Sequence, residues 1–303
     1  MSCDQPVLHV STDTQVTFPR NSTVERSKIL WVNTRDLTDG AAGMVVAETT
    51  PFHPLDHTWP DQPGDTGVID VDGRVFQVTD SVTAAVSPEG TVFLGDRIPV
   101  RRGEAGWAFV VGHVVQEGEG VELAELVGEE AVLRVDADRR KALSAAHTSC
   151  HAMSLALNRA VSDLWRKEVA TDSLGSPNFD QLAIQESRIT TECSLDRYRL
   201  GKSLRKRGLD VAALLADVDG IAAKVNETLG EWLATPSPIH VEAPTGKLGE
   251  IRTWHCSLST GDAHLPCGGT HLQDLQELSA ITVTIDTFLD QAECVVKTVP
   301  VLA

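Results

Sequence analysis

No uninterrupted apolar run of about 18 or more residues occurs, so no stretch reads as a membrane-spanning helix. Met1 to Val16 is polar and lacks the basic-then-apolar pattern of a secretory leader. The cysteines, at positions 3, 150, 193, 256, 267 and 294, are too few and too scattered for a disulfide framework. A thiol in a metal-type motif suits a reducing compartment better, so a cytoplasmic protein is expected. Cations are short as well, with 26 Lys and Arg against 43 Asp and Glu, a net charge of −17. That balance argues against a general nucleic-acid binder, and DNA is not expected as a partner. Nothing resembles an ATP site.

What is present points to two domains. A chain of 303 residues with 42% hydrophobic content can bury one large core or two modest ones. Residues 1–137 carry short β-branched runs, among them Val45-Val46-Ala47, Gly67 to Val71, Arg74 to Val78, Thr91 to Leu94 and Trp107 to Val115. Turn signals such as Asp72-Gly73 separate them, and the spacing predicts a small β-barrel. The acidic, glycine-containing stretch Glu117 to Glu130 reads as a connector.

Residues 138–303 mix periods. Ala131 to Val135 alternates as a strand, Asp138 is placed to cap a helix, and Leu143 to Ala160 is rich in helix formers. Residues 172–208 read as polar and irregular. Val211 to Leu233 has apolar residues at helical spacing and is assigned to core packing. Strands return at Ile251 to Trp254, Ile281 to Ile285 and Cys294 to Val296. The expected fold class is α+β, with a helix laid across a sheet in a two-layer second domain. Cys256 and Cys294 are expected to be core thiols.

Two short strings carry chemistry. Cys267-Gly268-Gly269-Thr270-His271 places a thiol and an imidazole four residues apart around two glycines. His147-Thr148-Ser149-Cys150-His151 places two imidazoles at i,i+4, on one face if the segment is helical. Together they make a nitrogen and sulfur donor set that suits zinc. The competing reading is a partly buried helix with two satisfied histidines. Cys150 falls on a different face and is not counted as a ligand. His53 and His57 have the same spacing, but Pro54 lies between them, so they are not expected to converge.

Arg139-Arg140-Lys141-Ala142-Leu143-Ser144-Ala145-Ala146-His147 to His151, with Cys267 to His271 downstream, resembles the editing domain of alanyl-tRNA synthetase. It is closer still to the free-standing alanyl-tRNA editing deacylases (AlaX type). Glu277 also matches the family pattern, whereas Leu275 stands where a threonine is common. Thr49 to Gly67 resembles the family's substrate-selecting loop, with Phe52 in its aromatic step and Gln62-Pro63-Gly64-Asp65-Thr66-Gly67 at its close. The family's glycine run before the glutamine is replaced by Trp59-Pro60-Asp61. The resemblance covers roughly 45–300. A plain rigid, proline-rich turn is the alternative for this loop.

The resemblance implies a barrel domain over 1–137, with the selecting loop at 49–67, and a zinc-dependent editing domain over 138–303. It implies one zinc ion per chain on His147, His151, Cys267 and His271, with the backbone N–H groups of Gly268 and Gly269 facing a developing oxyanion. Four tight ligands would make a structural site, or one that must open; a loose fourth ligand could move a proton. The implied reaction is trans hydrolysis of the ester between an amino acid and the acceptor end of a tRNA. Phe52, Trp59, Gln62, Asp65 and Thr66 are the expected contacts to the acyl group.

A pocket with polar partners for a hydroxyl rejects an analogue lacking it by about 10⁴-fold, against roughly 10–200-fold for one methyl. A small hydroxylated amino acid is therefore expected: serine, threonine or a threonine analogue such as fluorothreonine, on which specialised deacylases with altered loops act. Arg197, Arg199, Lys202, Arg205, Lys206 and Arg207 cluster around Tyr198, the only tyrosine. Arg205, Lys206 and Arg207 are candidate RNA-backbone contacts, or else part of a solvated helix face. Two other classes stay open: a metal hydrolase of free amino-acid esters or amides, and a non-catalytic tRNA-binding module with structural zinc.

Overall fold

The fold is that of a computed structural model, which describes residues 8–34, 43–116, 123–288 and 292–303. Part of the acidic connector, residues 117–122, lies outside the described residues, as does Cys3. The chain divides into two compact units. One comprises Met1–Arg140, Glu242–Arg252 and Gly268–Thr270; the other comprises Lys141–Val241, Thr253–Cys267 and His271–Ala303.

The first unit is built on a closed six-stranded barrel. Its order is Gly67–Val71, Glu130–Val135, Val24–Asn33, Gly43–Ala47, Ala108–Val115 and Arg74–Val86, which pairs back onto Gly67–Val71. Every pairing is antiparallel. Closure leaves no free edge among the six. The hairpin from Val71 to Arg74 turns through Asp72 (φ 51°) and Gly73 (φ 81°), the two left-handed positions a tight hairpin of this hand requires. Ile29, Val45, Ile69, Val71, Phe76, Val111 and Leu133 fill the core with Phe52 from the loop.

The longest helix among the described residues is Ala137–Ala160, which belongs to the second unit from Lys141 on, and every residue from Leu143 to Cys150 is buried. Small residues (Ala145, Ala146, Ser149) let neighbouring chain approach it on all sides. Its N-terminus is capped by Asp136, not Asp138: the Asp136 carboxylate accepts the Arg139 N–H at 3.0 Å. Asp138 instead lies within the first turn, where a carboxylate suits the helix dipole.

A four-stranded antiparallel sheet runs in the order Ile184–Ile189, Ser194–Arg199, Glu293–Leu302, Leu278–Phe288. Residues 172–208 are thus not irregular throughout. Alternation of buried Ser187, Ile189, Ser194, Asp196 and Tyr198 makes a strand pair there. Three of these inward residues, Ser187, Ser194 and Asp196, are polar, and that hid the period from a count of apolar side chains. The helical stripe from Val211 is two helices, Val211–Ala216 and Val218–Leu233, broken at Asp217, whose backbone is extended away from helical (φ −134°, ψ 45°). The longer one covers the edge of the sheet: the Asn226 amide accepts the Val283 N–H at 2.8 Å and donates to the Val283 carbonyl at 2.9 Å. An edge strand so occupied cannot pair with another chain at that point.

A three-stranded sheet, Ile239–Glu242, Thr253–Leu258 and Gly261–Pro266, completes the elements that matter for the site. Cys256 and Cys294 are buried in the core, as expected, and all five described cysteines are free thiols. Among the described residues, no helix is long and apolar enough to cross a membrane.

Candidate metal centre

His147 and His151 are one helical turn apart in the long helix, and Cys267 and His271 flank the turn that follows the strand Gly261–Pro266. One ligand atom from each of the four lies within 4.8 Å of every other, a group that could hold one metal ion. The Cys267 Sγ is 3.2 Å from the His271 Nε2 and 3.5 Å from the His147 Nε2. The three imidazole centroids are 4.5 to 4.9 Å apart.

Burial pushes His147 down to about 4. Burial, and then the neighbouring His147, holds His151 well below the ordinary imidazole range. Both rings are therefore neutral at pH 7 and offer lone pairs, the form a metal requires. The His151 Nε2 is buried and has no hydrogen-bond partner. A buried ring nitrogen left without a partner beside a thiol and two further imidazoles costs free energy, and a bound cation would satisfy it. The donor set fits a borderline-soft ion of the zinc kind.

Two residues that the sequence reading missed hold this group. Thr148 is fully buried, its Oγ1 lies 3.3 Å from the His271 Nδ1, and it accepts the Leu272 N–H at 3.1 Å. In the tautomer that carries its proton on Nδ1, His271 donates to Thr148 and presents the Nε2 lone pair toward Cys267, the outer-shell arrangement common for a metal ligand. Trp254 packs its ring 5.1 Å from His151 and 5.9 Å from His271, fully buried. Its indole N–H finds no acceptor. Thr148 was legible only as the residue after His147; Trp254 had no local signal at all.

Cys150 is turned away from the group, and its thiol donates toward the Asp196 carboxylate at 3.4 Å. His53 and His57 do not form a pair either: His53 meets the edge of Phe18, and His57 stacks on Phe109.

In the first unit, the loop residues are mostly held, not displayed. Asp65 is fully buried; both its oxygens accept from the Arg140 Nε at 2.9 and 3.0 Å, and it also accepts from the Arg140 Nη2 and the His53 N–H. Arg140 reaches on to the Pro51 carbonyl at 2.7 Å, and Arg139 to the Gly64 carbonyl at 2.9 Å. Phe52 is wholly inside the barrel core, edge-on to His113. The structure thus uses Asp65 and Phe52 to fix the loop. Glycine is required at two places: a Cβ on Gly64 would collide with the Ser81 carbonyl oxygen, and one on Gly67 with that of Arg134.

The Gln62 amide is buried against Thr270, donating to its hydroxyl at 2.9 Å and accepting its N–H at 3.0 Å. Thr66 is partly exposed, and Trp59 is 42% exposed. Gly268 and Gly269, named from the sequence as backbone donors, sit beside Thr270 in the chain, Gly268 half-buried and Gly269 buried.

Arg205, Lys206 and Arg207 are exposed on the helix Lys202–Arg207. Two further cations join them: Arg166, whose N–H donates to the Gly208 carbonyl at 2.9 Å, and Lys167, whose Nζ reaches the Lys206 carbonyl at 3.0 Å. Arg166 is ion-paired with Asp210, as Arg197 is with Glu293 and Glu186, and Tyr198 is buried with its hydroxyl on Asp180.

No protein-family model matches the chain. It is similar to alanine–tRNA ligases. It is 26% identical over 242 residues to that of Desulfosudis oleivorans, covering 78% of this chain and 22% of the ligase. It is 24% identical over 254 residues to that of Rhodopseudomonas palustris (82% and 24%) and 24% over 264 residues to that of Cereibacter sphaeroides (84% and 25%). The chain spans about a quarter of the length of these curated relatives. The likeness supports the resemblance carried by the Cys-Gly-Gly-Thr-His string.

Proposed function

We propose that the chain is a deacylase acting in trans on aminoacyl-tRNA, within the superfamily of alanyl- and threonyl-tRNA synthetase editing domains. The four-residue donor group with the orphaned His151 nitrogen carries this reading. His147, His151, Cys267 and His271 would hold one zinc ion. Zinc bound there supplies Lewis acidity and makes a water acidic enough to attack an ester near neutral pH.

The rest falls to the chain's own groups. The N–H groups of Gly268 and Gly269 polarise the scissile carbonyl. Thr148 fixes the proton on the His271 Nδ1. The 49–67 loop of the barrel domain selects the acyl group, with exposed Trp59 in direct contact and Gln62, Asp65 and Phe52 setting the loop's course. Arg205, Lys206 and Arg207 hold phosphates near the acceptor end. The barrel domain ends near 137, and the hydrolytic domain follows. The substrate class is a small hydroxylated amino acid (serine, threonine or fluorothreonine) on a mischarged tRNA, in the cytoplasm.

A second reading has one observation in its favour: the net charge of −17 opposes RNA binding and suits a hydrolase of free amino-acid esters. One experiment separates the two. Zinc-loaded protein is given Ser-tRNA(Ala), Gly-tRNA(Ala), Thr-tRNA(Thr), fluorothreonyl-tRNA(Thr) and the matching methyl esters, beside His147→Ala/Cys267→Ala. Rapid loss of one acyl group from tRNA, absent in the double variant, is the expected result. Equal rates on tRNA and methyl ester favour the second reading, and no turnover with metal bound removes both.

A further inference from the structure

His240, His255 and His264 have no role in the centre or the loop described above. His240 lies in the strand Ile239–Glu242, His255 in Thr253–Leu258 and His264 in Gly261–Pro266, and these strands are neighbours in that order. His255 and His264 are direct cross-strand partners. The strand period of two decides which way they face. Trp254, Cys256 and Leu258 are buried, so His255 points to the opposite face of the sheet, partly exposed, and His240 and His264 are exposed. No signal in the sequence joins them, since the register of three strands sets their proximity.

Their rings form a row. His240 and His255 stack at 4.7 Å between centroids with planes 4° apart, and His255 and His264 are 6.0 Å apart with planes 31° apart. An ion about 2.1 Å from a nitrogen of each of two imidazoles holds the ring centroids roughly 5 Å apart. The two observed separations bracket that value, but an ion lies in the plane of each imidazole that binds it, so the near-parallel His240 and His255 rings share one only after a χ rotation. The outer two side chains are exposed, so the χ rotations that turn their nitrogens inward meet little resistance.

We infer that His240, His255 and His264 form a second, surface site for a divalent first-row transition ion, separate in its residues from the His147 group. The donors are all imidazole, with no thiolate, which favours nickel, copper or zinc over magnesium or calcium. This site does not depend on the deacylase reading.

The test uses untagged full-length protein, stripped of metal and dialysed against zinc, with zinc per chain measured by elemental analysis. Retention on a nickel-charged chelating resin is a second readout that needs no enzymatic activity. The variants are His255→Gln, His240→Gln/His264→Gln and, for the first site alone, Cys267→Ser. Two zinc ions per chain are expected in the wild type and one in His255→Gln. Nickel retention should be lost in the His240→Gln/His264→Gln protein and kept in Cys267→Ser. A wild type that binds one ion, removed by His255→Gln, would sustain this site and count against the first. Unchanged stoichiometry and retention in both histidine variants would overturn the inference.

Discussion

Gln62 grips Thr270 from both ends of its amide: it donates to the threonine hydroxyl at 2.9 Å and accepts the threonine N–H at 3.0 Å. Both side chains are buried, so neither pair of groups can turn to water instead. The two residues are 208 positions apart, and the second adjoins His271 in the chain. The closing glutamine of one motif is thus spent on the backbone of the other.

Removing that amide is the first prediction. Gln62→Ala removes both hydrogen bonds from the buried Thr270 N–H and hydroxyl, a loss of about 1–3 kcal/mol. Urea unfolding should show a lower midpoint with an unchanged slope. A variant as stable as the wild type would mean that Thr270 finds other partners at no cost.

Arg140 and Asp65 form a buried pair, 75 positions apart, that ties the loop to the start of the long helix. Breaking it from one side strands a charge. Arg140→Met and Asp65→Leu should each destabilise by about 3–5 kcal/mol, and the double variant by clearly less than their sum. Additive losses in a double-mutant cycle would show that the two do not act as a pair.

His113 is an acid-sensitive group of the barrel. It is fully buried, its Nδ1 lies 2.8 Å from the Val45 carbonyl, and the Thr50 hydroxyl lies 2.8 Å from its Nε2. Burial pushes it down to about 4. The folded value is below the unfolded one, near 6.5, so the contribution to stability is fully present above about pH 6.5 and is lost as pH falls toward 4. The loss is on the order of 3 kcal/mol. His113→Gln should flatten that acid limb in unfolding curves taken from pH 7 to pH 4.5. The same limb in both proteins would assign it to other groups.

The cations Arg205, Lys206 and Arg207 are exposed. If they hold tRNA phosphates, replacing all three by glutamine should raise KM for charged tRNA and leave kcat near the wild-type value. Plotted as log KM against log salt, the slope should fall by roughly 2–3, close to one unit per lost contact. A KM unmoved across several salt concentrations would reduce the cluster to a solvated helix face.

The sequence by itself determined the donor set of the candidate centre. His147 and His151 at i,i+4 need only a helix to share a face, and Cys267 and His271 need only a glycine-bearing turn, so local geometry made the donor set legible. It likewise carried the β character of the first 137 residues, because alternating β-branched runs and an Asp-Gly turn are short-range signals. It misplaced the helix cap by two residues and missed the strand pair at 184–199, where Ser187, Ser194 and Asp196 occupy inward positions.

Only the tertiary structure decided what the remaining side chains are for. Asp65 and Gln62, read as contacts to a ligand, turned out to hold Arg140 and Thr270, partners 75 and 208 positions away. Thr148 behind His271, Trp254 against His151, and the row of His240, His255 and His264 depend on long-range packing and on strand register. Those are fixed when the whole core closes, not by any residue's neighbours in the chain.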